Sequence, residues 1–303
     1  MRSPTSIDGV AFVERLDGPG ADPDAPPALL VEVPHGADRR AHYDALRGRL
    51  RSLLPDDLHI FFHMNTDVGA WALGRRAAER VLAAHPSRSA LLVRCLLPRT
   101  FVDTNRAAEA ADELARGGLT AAIPPYVDDP ADITLLSELH RAYEALTERA
   151  YAHVCSSGGL ALTPHTYGPR SVGIERVDET IVEQLRRTHE PDAWRGWPIR
   201  PEVDLITRDA DGRDHAPVGI AAELEAGYEA LGVNVAHGST YYLHPSTQAH
   251  RWSVRYPGQV LCLEVRRDLL VGDYTPFEEM IAAEPQVDRM AGPVADALIR
   301  RLD

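Results

Sequence analysis

The stretch Leu29-Leu30-Val31-Glu32-Val33-Pro34-His35-Gly36-Ala37-Asp38 is the segment from which the fold and the site are inferred. Its first five residues are mostly branched and apolar, which predicts a buried strand. Pro34 ends that strand, because proline has no N–H to donate to a sheet. His35 and Asp38 follow it, and an open α/β sheet places its chemistry in loops of this kind. An imidazole and a carboxylate three residues apart suit a divalent metal such as zinc.

The composition is that of an ordinary globular protein. The chain has 303 residues, of which 44% are hydrophobic and 25% charged, so it is long enough to bury a sizeable core. A net charge of −13 argues against nucleic-acid binding, which depends on cationic patches. The three cysteines form no CxxC motif, and we expect them to be buried thiols in a reducing cytoplasm.

No segment of the sequence indicates a membrane or a secretory signal. The N-terminus lacks a basic and then apolar signal pattern, and no apolar run is long enough to span a bilayer. We therefore expect a cytoplasmic protein with no membrane partner, present as a monomer or a homodimer.

Strands and helices alternate along the sequence, which predicts an α/β fold. We expect a single domain over residues 1–303, built as three α/β/α layers around a mixed, mostly parallel sheet. The predicted strands are Leu29–Val33, Leu58–Phe62, Ala90–Leu97, Leu160–Thr163, Val203–Thr207, Val233–Ala236 and Val260–Val265. The predicted helices cover residues 38–53, a segment capped by Asn65-Thr66-Asp67, a long segment capped by Asp132, and residues 178–187, 218–231 and 276–301.

Four segments are predicted to be rich in loops. Residues 1–27 form an N-terminal extension with a short edge strand near Val10–Val13, and residues 237–256 are loop-like. Residues 107–131 and 166–200 are loop insertions. Long loops inside a domain often form a lid or a binding surface.

The Pro-His pair recurs at the end of a second predicted strand, as Pro164-His165. Two histidines and one carboxylate, with a fourth position left for water, are the ligands of a hydrolytic zinc site. We predict that His35, Asp38 and His165 bind one zinc ion per chain, with another divalent metal as an alternative. Asp38 could instead cap a helix. Asp67 is a rival carboxylate ligand, or a partner that orients a ligand histidine from behind.

Glu264 is the candidate general base. It lies at the end of the apolar run Val260-Leu261-Cys262-Leu263, where a carboxylate is costly unless it is paired or functional. The alternative is a structural salt bridge to Arg266 or Arg267.

The segment Asp103-Thr104-Asn105-Arg106 follows a predicted strand and offers an arginine beside an amide. Arginine binds a carboxylate through two parallel hydrogen bonds, which lysine cannot do. Asn105, Arg106 and Arg99 are therefore candidate substrate-binding residues, and Arg94 could add positive charge. The alternative is a solvated turn with an internal Asp–Arg pair. The predicted partner is a small carboxylate-bearing substrate.

These segments together resemble the N-formylglutamate amidohydrolases and, more distantly, the zinc carboxypeptidases and the aspartoacylase group. The resemblance covers roughly residues 29–270 and rests on Val33-Pro34-His35-Gly36, Asn65-Thr66-Asp67, Val102-Asp103-Thr104-Asn105-Arg106, Pro164-His165-Thr166 and Leu263-Glu264-Val265-Arg266. Two places depart from the family: Gly36-Ala37 replaces the usual Ser-Gly, and Thr-Tyr-Gly-Pro follows His165.

The resemblance implies a zinc-peptidase-like fold and hydrolysis of an amide bond. By this analogy His35, Asp38 and His165 bind zinc and Glu264 is the general base. Asn105 and Arg106 would hold the substrate carboxylate. Arg106 is also the candidate for stabilising the oxyanion, and Tyr167 is a further candidate substrate-binding residue.

The expected activity is hydrolysis of an N-acyl amino acid such as N-formylglutamate. One alternative is a zinc carboxypeptidase or deacylase acting on a peptide or cell-wall fragment, with the long loops as subsites. Another is a non-catalytic binding protein on the same scaffold, against which Glu264 argues because a binder needs no base.

Overall fold

The computed structural model describes residues 3–106, 121–174 and 176–303. These residues form one seven-stranded sheet in the order β1-β3-β2-β4-β7-β5-β6. The strands are β1 (Ala11–Asp17), β2 (Leu29–Val33), β3 (Ser89–Cys95), β4 (Leu160–Tyr167), β5 (Val203–Leu205), β6 (Val235–His237) and β7 (Val260–Arg266). β3, β2, β4 and β7 run parallel, while β1 and the β5–β6 pair run opposite to their neighbours. The prediction of a mixed, mostly parallel sheet is therefore confirmed.

Helices cover both faces of this sheet. They are α1 (Arg40–Arg47), α2 (Leu58–Asn65), α3 (Ala70–Ala84), α4 (Pro130–Cys155), α5 (Ile181–Thr188), α6 (Pro191–Gly196), α7 (Ile220–Glu229), α8 (Gln248–Arg255) and α9 (Glu284–Leu302), with a short 3₁₀ turn at Arg267–Leu269. None of the helices in the described ranges has the length and apolar character needed to cross a membrane.

Alternate residues of the central strands face two separate cores, as a buried sheet requires. On one face Leu30, Ala161 and Cys262 pack with α1, α2, α4, α5 and α8. On the other face Val31 and Leu162 pack with α3, α7 and α9. The three-layer α/β/α architecture is therefore confirmed.

The carboxyl ends of β2, β3, β4 and β7 meet at one edge of the sheet because these strands are parallel. His35 lies two residues past β2, and Arg99 lies four past β3. His165 and Glu264 are register partners near the ends of β4 and β7. The topology thus brings together side chains that are more than 200 residues apart in sequence.

Two predicted elements are wrong. Residues 58–62 form the start of helix α2 and not a strand, because a five-residue apolar run has the composition of either element and Leu58, Phe61 and Phe62 also follow helical spacing. Residues 237–256 contain helix α8, which begins after Thr247, whose side chain accepts a hydrogen bond from the His250 N–H.

Two predicted helix caps have other roles. α3 begins at Ala70 after Gly69, whose positive φ of 92° favours glycine. α4 begins at Pro130, and its cap is Asp129. The Asp132 carboxylate instead accepts hydrogen bonds from the backbone N–H groups of Arg51 and Ser52.

The loop-rich segments contain more regular structure than predicted. β1 extends to Asp17 and pairs along its length with β3, and residues 166–200 contain the end of β4 with α5 and α6. The C-terminal helix begins at Glu284 and not near residue 276. Most of the loop predicted at 107–131 lies outside the described residues. All three cysteines are buried free thiols, as expected.

Candidate metal centre and its cavity

Three buried side chains from three chain segments converge at the sheet edge. One ligand atom from each of His35, Asp67 and His165 lies within 4.8 Å of the others. The Nδ1 atoms of His35 and His165 lie 3.2 and 2.9 Å from the same oxygen of Asp67. Two imidazoles and a carboxylate at this spacing are a suitable donor set for zinc, with room for a further ligand.

The second nitrogen of His35 is held by Asp103. Nε2 of His35 lies 2.8 Å from the Asp103 carboxylate. A carboxylate in this place favours the N–H on Nε2, which leaves Nδ1 as a lone-pair donor facing Asp67. Many metal-binding histidines are oriented in this way by an outer carboxylate.

Charges fix the ionisation of these carboxylates. Burial alone would raise the pKa of Asp67, but His35 and His165 hold it far below its usual range. Burial likewise opposes ionisation of Asp103, yet Arg99 and His35 hold its pKa well below the usual range. Both groups are therefore anionic at neutral pH, which is the state required of a ligand and of an orienting base.

Asp38, the predicted ligand, is placed elsewhere. Its carboxylate accepts a hydrogen bond from Arg94 at 2.6 Å, and Arg94 also donates to the Gly36 carbonyl at 2.8 Å. Arg94 points to the opposite face of β3 from Val93 and Cys95, so it draws Asp38 away from the histidines. Asp67, the rival carboxylate, occupies the position that was predicted for Asp38.

The same ion pair accounts for Gly36. A Cβ at this position would lie 2.6 Å from the Arg94 side chain and 2.9 Å from the Cys95 carbonyl. Only glycine fits at this position.

Glu264 faces the centre without a partner. Its Oε2 atom is buried and has no hydrogen bond from any described residue. Burial raises the pKa of Glu264 to about 7, with Asp67 adding to the rise and His165 opposing it. A carboxyl group with this pKa can exchange a proton near neutral pH.

The structural salt bridge considered for Glu264 is absent from the described residues. Arg266 pairs with Asp268 at 2.8 Å. Arg267 is 2% exposed and donates to the carbonyls of Met64 and Thr166 at 3.0 and 3.3 Å. These carbonyls lie three residues before Asp67 and one after His165, so Arg267 ties together the segments that carry two of the three donors.

The predicted carboxylate-binding segment lies beside the donor set. The Asn105 side-chain oxygen accepts a hydrogen bond from the N–H of Ala249, and Asn105 lines the cavity. The buried Nε of Arg106 lies 3.9 Å from the Asp103 carboxylate and makes no hydrogen bond to any described residue. Arg99 donates to Asp103 at 3.2 Å. The internal Asp–Arg pairing foreseen as the alternative is therefore present, but in a buried site rather than a solvated turn.

Tyr167 and Arg200 line the other side of the cavity. The Tyr167 hydroxyl donates to the Pro201 carbonyl at 2.8 Å, so this group is not available to a ligand as a donor. The Arg200 guanidinium lies 5.1 and 5.8 Å from the ring centres of Tyr167 and Tyr241 and donates to Ser171. Tyr167 thus positions an arginine.

All of these groups open into one cavity of about 460 Å³. Its walls include the donor set, Glu264, the predicted pair Asn105–Arg106, and Arg99, Arg200 and Arg267. Volumes of this size are typical of sites for small organic ligands. The cavity can therefore hold a small anionic molecule beside the His35–Asp67–His165 group and Glu264.

The roles of Asp103, Arg200 and Arg267 were not apparent from the sequence. Asp103 was considered only as a partner of Arg106, although a carboxylate near two candidate ligand histidines is a reasonable orienting group. Arg200 and Arg267 carry no local signal, since only the sheet order brings them to the same edge.

Two solved structures share this fold. The crystal structure of N-formylglutamate amidohydrolase from Ralstonia eutropha JMP134 has a TM-score of 0.59 and 16% identity, and covers 97% of each chain. The crystal structure of gene product Atu2144 from Agrobacterium tumefaciens has a TM-score of 0.56 and 19% identity, and covers 97% of this chain and 94% of its own. At these identities the likeness concerns the fold, which is the one that the sequence resemblance implied.

No protein-family model and no curated protein sequence matches the chain.

Proposed function

We propose that the protein is a metal-dependent hydrolase that cleaves the amide bond of an N-acyl amino acid, with N-formylglutamate as the reference substrate. The observation that carries this proposal is a buried His–Asp–His donor set beside Glu264, whose Oε2 is buried and unpartnered. The fold shared with an N-formylglutamate amidohydrolase supports it by analogy.

His35, Asp67 and His165 would hold one zinc ion per chain, since their donor atoms and mutual distances fit that metal. Other divalent metals that accept imidazole and carboxylate are alternatives. Bound zinc would supply Lewis acidity to a water molecule and to the substrate carbonyl.

Asn105 and Arg106 would hold the carboxylate of the substrate. The buried Nε of Arg106 is 3.9 Å from Asp103 and makes no hydrogen bond to any described residue, and a buried cationic donor gains most from a charged acceptor at hydrogen-bond distance. Positive charge from the cavity arginines would also stabilise the negative charge that develops on the carbonyl oxygen.

Glu264 would carry the proton. In its ionised form it accepts a proton from the attacking water and then donates it to the nitrogen of the leaving amine. A C–O bond forms at the acyl carbon and the C–N bond breaks, so the products are a carboxylic acid and a free amino acid.

We also propose that the protein is cytoplasmic, because three buried free thiols suit a reducing compartment.

An amine-release assay on the zinc-reconstituted full chain tests the activity. We expect turnover of N-formylglutamate and of other N-formyl amino acids. N-formylbutylamine, which lacks a carboxylate, should have a kcat/KM lower by about 30-fold, since it forfeits charge-assisted hydrogen bonds.

The absence of amine release from every N-acyl amino acid by zinc-loaded protein would contradict the proposal. Release of residues only from short peptides would favour the carboxypeptidase alternative instead. Saturable binding of N-formylglutamate without any release would favour the binding-protein alternative.

A further inference from the structure

One wall of the cavity is apolar. It consists of six side chains: Phe61 and Met64 of α2, Ile174 and Val177 of the segment between β4 and α5, and Ile181 and Leu185 of α5. We refer to these six residues as the apolar wall. They are continuous with the larger core on the same face of the sheet, against which Met64, Ile174 and Val177 pack as half-buried residues.

The apolar wall begins at the donor set itself. Met64 lies three residues before Asp67, and its carbonyl is held by Arg267 at 3.0 Å. A ligand whose reacting carbonyl lies at the donor set is therefore next to an apolar surface.

The carboxylate-binding residues lie against other elements. The carbonyl of Asn105 accepts a hydrogen bond from the N–H of Gln248 on α8. The carbonyl of Arg106 is hydrogen-bonded to the ring of His140 on α4. The cavity thus has a cationic part supported by α4 and α8, and an apolar part supported by α2 and α5.

N-formylglutamate uses only part of such a cavity. A formyl group has one carbon, and the glutamate side chain has two methylenes before its second carboxylate, so neither group can cover much apolar surface. The half-buried members of the apolar wall, Met64, Ile174 and Val177, still present hydrocarbon to the cavity. Each Å² of this surface that a ligand covers stabilises the complex by roughly 25 cal/mol.

We propose that the preferred substrate is an N-acyl amino acid with an apolar substituent of about four or more carbons that packs on the apolar wall. This inference rests on the proposed function and narrows it. The substituent has two sources, the acyl chain or the amino-acid side chain, and both offer the same hydrocarbon surface.

Two substrate series distinguish these sources. In the first, glutamate carries N-formyl, N-acetyl, N-butyryl and N-hexanoyl groups. In the second, the N-formyl group is kept and the amino acid is glycine, alanine, leucine or phenylalanine. We expect kcat/KM to rise by about fourfold for each methylene that reaches the wall, along one of the two series.

A matched pair of variants locates the effect. Val177→Thr keeps the side-chain shape but makes the wall polar, and we expect it to lower the ratio of kcat/KM for the longest to the shortest member by about threefold or more. Val218→Thr makes the same change at a site that is 95% exposed and outside the wall. It should leave the ratio unchanged.

A flat or falling profile in both series, together with turnover of N-formylglutamate, would overturn the apolar preference and leave the proposed function intact. A rising profile that Val177→Thr and Val218→Thr affect equally would also overturn it. No turnover of any compound by zinc-loaded protein would overturn both proposals.

Discussion

Two glutamates on the same face of the sheet, Glu32 and Glu264, differ in what surrounds them. Glu32 is on β2 and is 2% exposed. It accepts hydrogen bonds from Tyr143 and Tyr151 of α4, at 2.6 and 3.4 Å. Glu264 is on β7 next to His165, and its buried Oε2 has no partner among the described residues.

Burial raises the pKa of both glutamates, so a raised pKa alone does not separate a structural group from a functional one. The difference lies in their hydrogen bonds and their access to the cavity. Two tyrosine hydroxyls donate hydrogen bonds to Glu32 inside the core. Glu264 instead lines the cavity, and its Oε2 accepts no hydrogen bond from any described residue. An unpartnered buried acceptor beside a group that could bind a metal is explained if a substrate or a water molecule binds to it.

The largest expected difference is in catalysis. Glu264→Gln should lower kcat toward the best N-acyl amino acid by about 10³-fold, because the amide cannot accept the proton of the attacking water. Glu32→Gln, the same chemical change two strands away, should keep activity within about tenfold. Steady-state kinetics on both zinc-loaded variants measures this, and equal losses would remove the functional distinction between the two glutamates.

The hydrogen bonds of Glu32 should contribute to the free energy of unfolding rather than to catalysis. Tyr143→Phe removes a donor to a buried carboxyl group and should lower the free energy of unfolding by about 2 kcal/mol. Tyr228→Phe is a matched control, because Tyr228 donates to the neutral Met290 carbonyl in the other core, and it should cost about 1 kcal/mol. Urea denaturation measures both, and a loss for Tyr143→Phe no larger than the control would show that Glu32 is not specifically stabilised.

A third expected effect is the free-energy cost of burying the Glu264 carboxylate. Its pKa rises from 4.5 to about 7 on folding, so the folded state binds more protons than the unfolded state between these values. The free energy of unfolding therefore falls as the pH rises through this window, and the loss is complete above pH 7.

Glu264→Gln removes that penalty. In protein treated with chelator, the variant should be more stable than wild type by about 3 kcal/mol at pH 8, with no difference below pH 4.5. Urea denaturation at the two pH values measures this. Equal stabilities at pH 8 would mean that the ionised Glu264 is already satisfied by a partner.

Much of the fold was predictable because it depends on local patterns. The apolar run that ends in Pro34 marked the end of β2 and placed His35 at the sheet edge. The run before Pro164 marked the start of β4, but this strand continues through His165 to Tyr167. The run at 58–62 was misassigned because so short a segment has no periodicity that excludes a helix.

The carboxylate of the donor set was harder to predict because its position depends on tertiary contacts. Asp38 has the better sequence spacing from His35, yet Arg94 lies on the opposite face of β3 and holds it there. Asp67 reaches both histidines through a turn after α2, and no sequence pattern gives the direction of that turn. Arg267 and Arg200 likewise reach the site only through the sheet order.

The central claim is that His35, Asp67 and His165 form a metal centre while Asp38 forms a structural ion pair. Elemental mass spectrometry on the wild type, Asp67→Ala and Asp38→Ala, purified in parallel with zinc supplied, tests it most directly. We predict close to one zinc per chain in the wild type and in Asp38→Ala, and none in Asp67→Ala. Zinc retained by Asp67→Ala but lost from Asp38→Ala, or no metal in the wild type, would contradict it.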